Sequence, residues 1–137
     1  MLRLTLLRLA VREIFRMAKI LVVDDSAVQA KAISKMLERH GHNTIVAHDG
    51  NACINLAAQE LPDLIVLDIV MPELNGFQAT RQITRNPSTE HIPILLVSGK
   101  NQETDKQWGF RQGAKGYIVK PLQEKELIKT VQDLLPS

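Results

Sequence analysis

The stretch Leu64-Ile65-Val66-Leu67-Asp68-Ile69-Val70-Met71-Pro72 decides how this chain is expected to fold. Its first four residues are all apolar, which is typical of a strand that is buried on both faces of a parallel sheet. Asp68 ends the apolar run, and a turn that contains a proline follows it. Three more apolar runs in the chain end in the same way, at polar residues. These residues are Asp24 and Asp25 after Ile20–Val23, Ser98 after Ile94–Val97, and Lys120 after Tyr117–Val119.

Amphipathic segments separate the apolar runs, and this alternation predicts an α/β fold with a doubly wound sheet. The predicted strands cover about residues 19–23, 43–47, 64–67, 92–97 and 116–119. The first predicted helix is capped by Ser26 and stops near Gly41, and others lie near residues 51–60, 77–86, 102–112 and 123–134. We assign Gly76 to the turn into the third helix, and we interpret Gly109 as a weak point that suits a helix with two conformations.

Parallel strands end at one edge of their sheet, and ligands bind in the crevice outside that edge. The three carboxylates, the Ser98 hydroxyl and the Lys120 ammonium are therefore expected to meet at one point. Clustered carboxylates repel one another, so the site is predicted to hold Mg²⁺, which commonly joins carboxylates to a phosphate. In this interpretation Lys120 and Ser98 bind phosphoryl oxygens, and Asp68 is the nucleophile that accepts the phosphoryl group.

The predicted metal ligands come from two of the strands. Asp25 is expected to bind the metal directly, and Asp24 binds it directly or through water. Asp68 and the backbone carbonyl of Val70 complete the predicted set. Each of these residues, taken singly, has an ordinary alternative, since acids after strands often cap helices or form turns. Their placement at the ends of different predicted strands is what favours a site.

Composition and charge bear on the number of domains, the partners and the redox environment of the chain. At 137 residues the chain is expected to form one domain. Residues 1–16 contribute +3 to the net charge of +2, which leaves −1 for the remainder, so nucleic-acid binding is not indicated. The single cysteine, Cys53, allows no intrachain disulfide and favours a reducing cytoplasm.

Residues 1–16 form a predicted basic amphipathic leader. Leu4, Leu7 and Val11 share one helical face, while Arg8 and Arg12 lie on the other. The segment is too short to span a bilayer, so it would rest on a membrane surface or bind a partner. The alternative is that it is an extension from an upstream start, because Met17 directly precedes the first strand.

The motifs of the remaining chain resemble the receiver (CheY-like) domain of two-component response regulators. The resemblance covers about residues 17–136, within a predicted domain at 17–137, and rests on six stretches. These are Val22-Val23-Asp24-Asp25-Ser26, Leu67-Asp68-Ile69-Val70-Met71-Pro72, Asn75-Gly76, Val97-Ser98-Gly99, Gly113-Ala114 and Tyr117-Ile118-Val119-Lys120-Pro121. The resemblance implies a (βα)5 fold with the flavodoxin-like strand order 2-1-3-4-5. It also implies Mg²⁺, phosphotransfer from a histidine kinase to Asp68, and a switch in which Ser98 moves towards the phosphoryl group and Tyr117 turns inward.

Two surface stretches, Asn75–Gln82 and Gln102–Gly109, are similar to stand-alone regulators of twitching motility. That similarity implies a CheA-like histidine kinase and a downstream motility protein in a chemotaxis-like system that controls type IV pili. The regulator could transmit a signal or drain phosphoryl groups from a shared kinase. Only Pro136 and Ser137 follow the last predicted helix, so we expect no output domain that reads DNA.

Two other classes of function compete with a phosphoacceptor switch. A phosphatase of haloacid-dehalogenase type also uses Asp, Mg²⁺ and Lys, but it needs two acids that are two positions apart after the first strand. Here Asp24 and Asp25 are adjacent and residue 26 is a serine, so this class is disfavoured. A scaffold that binds partners without phosphorylation would not need Asp68 and Lys120.

Overall fold

The computed structural model describes residues 17–136 together with Arg3 and Leu6. The predicted leader at residues 1–16 otherwise lies outside the described residues and stays a prediction. The strands are β1 (Lys19–Val23), β2 (Asn43–Ala47), β3 (Leu64–Asp68), β4 (Ile94–Ser98) and β5 (Gly116–Val119). The helices are α1 (Ala27–Glu38), α2 (Gly50–Glu60), α3 (Gly76–Arg85), α4 (Glu103–Gln112) and α5 (Glu124–Leu134). Within this described part of the chain, no helix has the length and apolar character needed to cross a membrane.

The five strands form one parallel sheet in the order β2-β1-β3-β4-β5. This order confirms the doubly wound α/β prediction. The chain first builds outward from β1 to β2, and it then crosses to the other side of β1 to add β3. The order therefore reverses between β1 and β3, where a parallel sheet opens a crevice at the carboxyl ends of its strands.

Two apolar layers hold the sheet between its helices. Successive strand residues point to opposite faces, so Leu21 and Ile65 pack into one layer while Ile20 and Leu64 pack into the other. Residues of α2 and α3 complete the first layer, and residues of α1 and α5 complete the second. Because both faces are covered, β3 and β4 are buried along their whole length.

The strand ends differ slightly from the predicted ones. β4 begins at Ile94 rather than Ile92, because the Ile92 N–H closes a turn on the Thr89 carbonyl at 3.0 Å and Pro93 has no N–H to donate. Asp68 and Ser98 are the last residues of β3 and β4 instead of following them. The backbone of both residues is consequently held by strand pairing.

Gly76 and Gly109 lie where other elements approach the chain closely. A Cβ atom on Gly76 would lie 2.4 Å from the Asp68 carbonyl oxygen, so no other residue fits without backbone movement. A Cβ atom on Gly109 would lie 2.8 Å from Cδ1 of Leu96, a buried side chain of β4. The interpretation of Gly109 as a weak point in its helix therefore missed its packing role, which brings α4 close to the sheet.

His42 links the start of β1 to the loop before β2. Its Nδ1 atom accepts a hydrogen bond of 3.0 Å from the Ala18 N–H, and the residue is 6% exposed. Burial, with a smaller contribution from His40, lowers the pKa of His42 below 6.5. The neutral ring is the form that fits, because a proton on Nδ1 would face the Ala18 N–H.

We expect this buried imidazole to make the protein acid-sensitive. The unfolded chain takes up a proton that folded His42 resists, so the free energy of unfolding falls as the pH drops from about 7.5 to about 5.5. His42→Gln cannot titrate, and its stability deficit relative to wild type should shrink over the same range in urea denaturation. The exposed His91 supplies the control, as His91→Gln should keep the wild-type slope. Parallel slopes for wild type and His42→Gln would contradict this assignment.

Candidate functional site

The carboxyl edge of the sheet gathers the predicted acidic residues. Asp24 and Asp25 follow β1, and Asp68 ends β3, which is paired with β1 up to Val23 and Leu67. One carboxylate oxygen from each of the three acids lies within 4.8 Å of the others. Asp24 and Asp68 are buried, whereas Asp25 is exposed. The acids therefore form a pocket that is open to solvent on the side of Asp25.

Lys120 reaches this pocket from the end of β5. Its Nζ atom lies 3.2 Å from Oδ2 of Asp24 and 3.5 Å from Oδ1 of Asp68. It also donates a hydrogen bond to the side-chain oxygen of Gln29. The backbone contributes to this placement, since the Lys120 N–H donates to the Ser98 carbonyl at 2.8 Å. The peptide bond between Lys120 and Pro121 is cis.

Burial and the charged groups of the pocket together shift the pKa of Asp68. Burial raises the pKa of Asp68, Lys120 opposes that rise, and the negative charges of Asp24 and Asp25 add to it. One ammonium faces three carboxylates, so the pocket keeps an excess of negative charge when all three are ionised. Such an arrangement of oxygen ligands suits a hard divalent cation, which would relieve the repulsion.

Ser98 and Tyr117 lie beside the pocket and are connected through Lys100. The Ser98 side chain is fully buried, and its Oγ atom accepts a hydrogen bond of 3.2 Å from the Lys100 N–H. The Tyr117 hydroxyl donates to the Lys100 carbonyl at 2.7 Å. Partial burial, with the nearby Asp105, raises the pKa of Tyr117, so its hydroxyl remains a donor. Both side chains therefore form hydrogen bonds with backbone atoms of Lys100, in the loop that follows β4.

Val70 lies two residues beyond Asp68, on the loop that joins β3 to α3. Its side chain is 60% exposed, so it lies at the rim of the pocket rather than in the core. The loop is held by the Gly76 N–H, which donates to the Ile69 carbonyl at 2.8 Å. At its far end, Asn75 and Gln78 form a reciprocal capping box that begins α3.

Two pocket neighbours, Gln29 and His48, were not predicted from the sequence. Gln29 lies in the first turn of α1 and contacts Lys120, while an Nδ1–H of His48 donates to the Asp24 carbonyl at 3.1 Å. Gln29 does not follow an apolar run, whereas His48 directly follows β2, so the pattern that identified the acids could also have indicated His48. Asp24 also serves the local role considered as the alternative, because its Oδ1 atom accepts the Ser26 N–H at 2.9 Å.

Comparisons with known proteins identify the family of the chain. The profile of the response regulator receiver domain matches residues 20–132. Protein PilH of Pseudomonas aeruginosa is 51% identical over 119 residues, which cover 87% of this chain and 98% of that protein. The chemotaxis protein CheY4 of Vibrio cholerae superposes with a TM-score of 0.82 at 33% identity, covering 87% of this chain and 99% of that one.

A further solved structure bears on the acidic pocket. It is the receiver domain of the sensor histidine kinase PA1611 from Pseudomonas aeruginosa, with a magnesium ion coordinated in its active site cleft. It has a TM-score of 0.81 and 27% identity, and the match covers 88% of this chain and 99% of that one.

Proposed function

The chain belongs to the receiver-domain family of response regulators, and on that premise we propose that it is a phosphoacceptor switch that carries its phosphoryl group on Asp68. The observation that carries this proposal is the position of the Lys120 ammonium, 3.5 Å from Asp68 in a pocket with two further carboxylates. A carboxylate can act as a nucleophile towards phosphorus, and such transfer needs mainly positioning and charge neutralisation.

Each pocket residue has a role in the proposal. Asp24, Asp25, Asp68 and the Val70 carbonyl would hold Mg²⁺, whose chemistry when bound is to neutralise charge on the phosphoryl oxygens. Lys120 already faces Asp68 and would donate to one phosphoryl oxygen. The fit of the donor set supports this assignment, because all the proposed ligands are oxygen atoms at one edge of the sheet.

We propose a histidine kinase of CheA-like type as the phosphoryl donor and a motility protein as the downstream partner. The similarity to PilH over nearly the full length of that protein supports a role in the control of type IV pilus twitching motility. Draining of phosphoryl groups from a shared kinase remains the alternative output. The single buried cysteine, Cys53, and the proposed kinase favour the cytoplasm.

The direct test is incubation of the full chain with acetyl phosphate and Mg²⁺, followed by intact mass measurement. We expect a gain of one phosphoryl group that chelation of the metal with EDTA prevents. Continuous release of product from a generic phosphate ester, without a phosphorylated protein, would instead identify a phosphatase. Failure to gain phosphoryl mass from acetyl phosphate and from a CheA-like kinase would overturn the proposal.

Mg²⁺ should stabilise the folded protein, because only the folded chain brings the three acids together. At about 100 times its Kd, a bound ligand adds about 2.7 kcal/mol to the free energy of unfolding. We therefore expect a higher melting temperature with Mg²⁺ and a blunted rise in Asp25→Asn, which loses the exposed carboxylate. Glu90→Gln removes an exposed acid that precedes β4, on the side of the sheet opposite to the pocket, and should respond like wild type. An equal response from wild type and Asp25→Asn would count against Asp25 as a ligand.

The proposed switch couples Ser98 and Tyr117 to α4. The Ser98 hydroxyl accepts from the Lys100 N–H, and the Lys100 carbonyl accepts from Tyr117. A movement of Ser98 towards a phosphoryl oxygen would therefore disturb the loop that also holds Tyr117. Trp108 and Phe110 are about half exposed on α4, where such a change could be read by a partner.

Phosphorylation should therefore change amide hydrogen exchange in the loop after β4 and in α4, while exchange in α2 stays constant. The comparison would use protein with and without acetyl phosphate at the same Mg²⁺ concentration. Identical exchange in α4 in both samples would argue against this route of signalling.

A further inference from the structure

The Lys120 ammonium contacts three side-chain oxygen atoms in this structure, and a lysine has three N–H donors. Two of these oxygens belong to carboxylates: Asp24 accepts a hydrogen bond at 3.2 Å, and Asp68 forms an ion pair at 3.5 Å. The third is the side-chain oxygen of Gln29, which comes from a different element and carries no charge. The ammonium is thus fixed from the sheet and from α1 at the same time.

The start of α1 determines where Gln29 lies. Ser26 caps the helix, and its hydroxyl accepts the Gln29 N–H at 3.3 Å. This cap places residue 29 in the first turn, next to the acids that follow β1. Gln29 is exposed as a residue although its side-chain oxygen contacts Lys120. It therefore lies at the mouth of the pocket, on the solvent side of the ammonium.

We propose that Gln29 is a positioning residue for phosphoryl transfer, because its side-chain oxygen holds the Lys120 ammonium in place while Asp68 reacts. This inference rests on the proposed function. In the reaction with acetyl phosphate, an Asp68 carboxylate oxygen forms a bond to phosphorus. The bond between phosphorus and the acetate oxygen breaks, and acetate leaves with the electron pair.

The reaction removes one partner from Lys120. Once an Asp68 oxygen is bonded to phosphorus, that carboxylate loses its negative charge, and the ammonium must bind a phosphoryl oxygen instead. Asp24 and Gln29 keep their contacts, so the ammonium does not have to be immobilised again during the reaction. A neutral acceptor is suited to this task, since a third carboxylate on Lys120 would repel the incoming phosphoryl group.

The test compares the full-length wild type with Gln29→Leu, which keeps the size of the side chain but removes the acceptor. With acetyl phosphate and saturating Mg²⁺, we expect phosphorylation of Gln29→Leu to be about fivefold slower, since an exposed hydrogen bond to a charged group keeps only part of its strength. The matched control is Gln59→Leu, an exposed glutamine near the end of α2, which should react at the wild-type rate.

A spectroscopic signature separates positioning from a general structural effect. Hydrogen-bonded ammonium groups exchange their protons slowly, so NMR should detect the proton–nitrogen signal of Lys120 in wild type and in Gln29→Glu, which keeps the acceptor. The signal should disappear in Gln29→Leu. A wild-type rate in Gln29→Leu, or a slower rate with the Lys120 signal intact, would overturn the inference. Absence of phosphorylation in wild type would instead reject the proposed function itself.

Discussion

We expect Asp68→Ala to take up no phosphoryl group from acetyl phosphate, even at Mg²⁺ concentrations that saturate the wild-type protein. This result is expected because Asp68 lies 3.5 Å from the Lys120 ammonium and is the one acid of the three that is the last residue of a strand. Asp24 also contacts Lys120, but its second oxygen already accepts the Ser26 N–H. Intact mass measurement over a time course would compare the phosphoryl mass gained by Asp68→Ala with that gained by the wild type, which is the positive control.

The loss in Asp68→Ala should not come from unfolding. Burial raises the pKa of Asp68, so the ionised carboxylate costs folding free energy at neutral pH. A neutral residue at this position should leave the melting temperature in Mg²⁺-free buffer equal to that of wild type or above it. Phosphoryl mass gained by a folded Asp68→Ala protein would show that another residue is the acceptor.

Gly76→Ala is expected to destabilise the protein by about 2–3 kcal/mol, as overpacking against a rigid backbone does. The added Cβ atom would lie 2.4 Å from the Asp68 carbonyl oxygen and 2.7 Å from the Ile69 Cα atom. Both atoms belong to the backbone at the end of a buried strand, so neither can move aside cheaply. The clash outweighs the gain of about 1 kcal/mol that alanine brings to a helix. Because the same contact displaces Asp68, phosphorylation should also slow.

Urea denaturation of Gly76→Ala and Gly99→Ala separates the clash from the general effect of replacing glycine. A Cβ atom on Gly99 would meet nothing within 4 Å, and Gly99 is also next to the pocket. Gly99→Ala should therefore stay within about 0.5 kcal/mol of wild type, as surface substitutions usually do. Equal stability of the two variants would mean that the backbone at Gly76 yields more easily than the distances imply.

The sheet could be predicted from the sequence because its strands are short apolar runs and each relevant run ends at a polar residue. Burial on both faces requires such runs, and the shared edge of parallel strands brings their terminal residues together. The meeting of Asp24, Asp25, Asp68 and Lys120 therefore followed from local patterns alone. The same reasoning placed Ser98 at this edge, although its hydroxyl bonds to Lys100 instead of the pocket.

Features that depend on contacts between distant segments could not be predicted in this way. The contact of Gln29 with Lys120 joins residues 91 positions apart, and that of His42 with Ala18 joins residues 24 positions apart. The presence of a glutamine or a histidine in the sequence does not by itself indicate such a contact. The close approach of Gly109 to Leu96 is likewise set by how tightly α4 packs on the sheet.

The first two acids differ in how far their carboxylate oxygens already have hydrogen-bond partners. Both oxygens of Asp24 are already occupied, one by the Ser26 N–H and the other by Lys120. Asp25, by contrast, is exposed to water, where a cation could reach its carboxylate. In the proposed site, Asp25 would therefore offer a cation a carboxylate exposed to water, whereas Asp24 would have to share an oxygen that already has a hydrogen-bond partner.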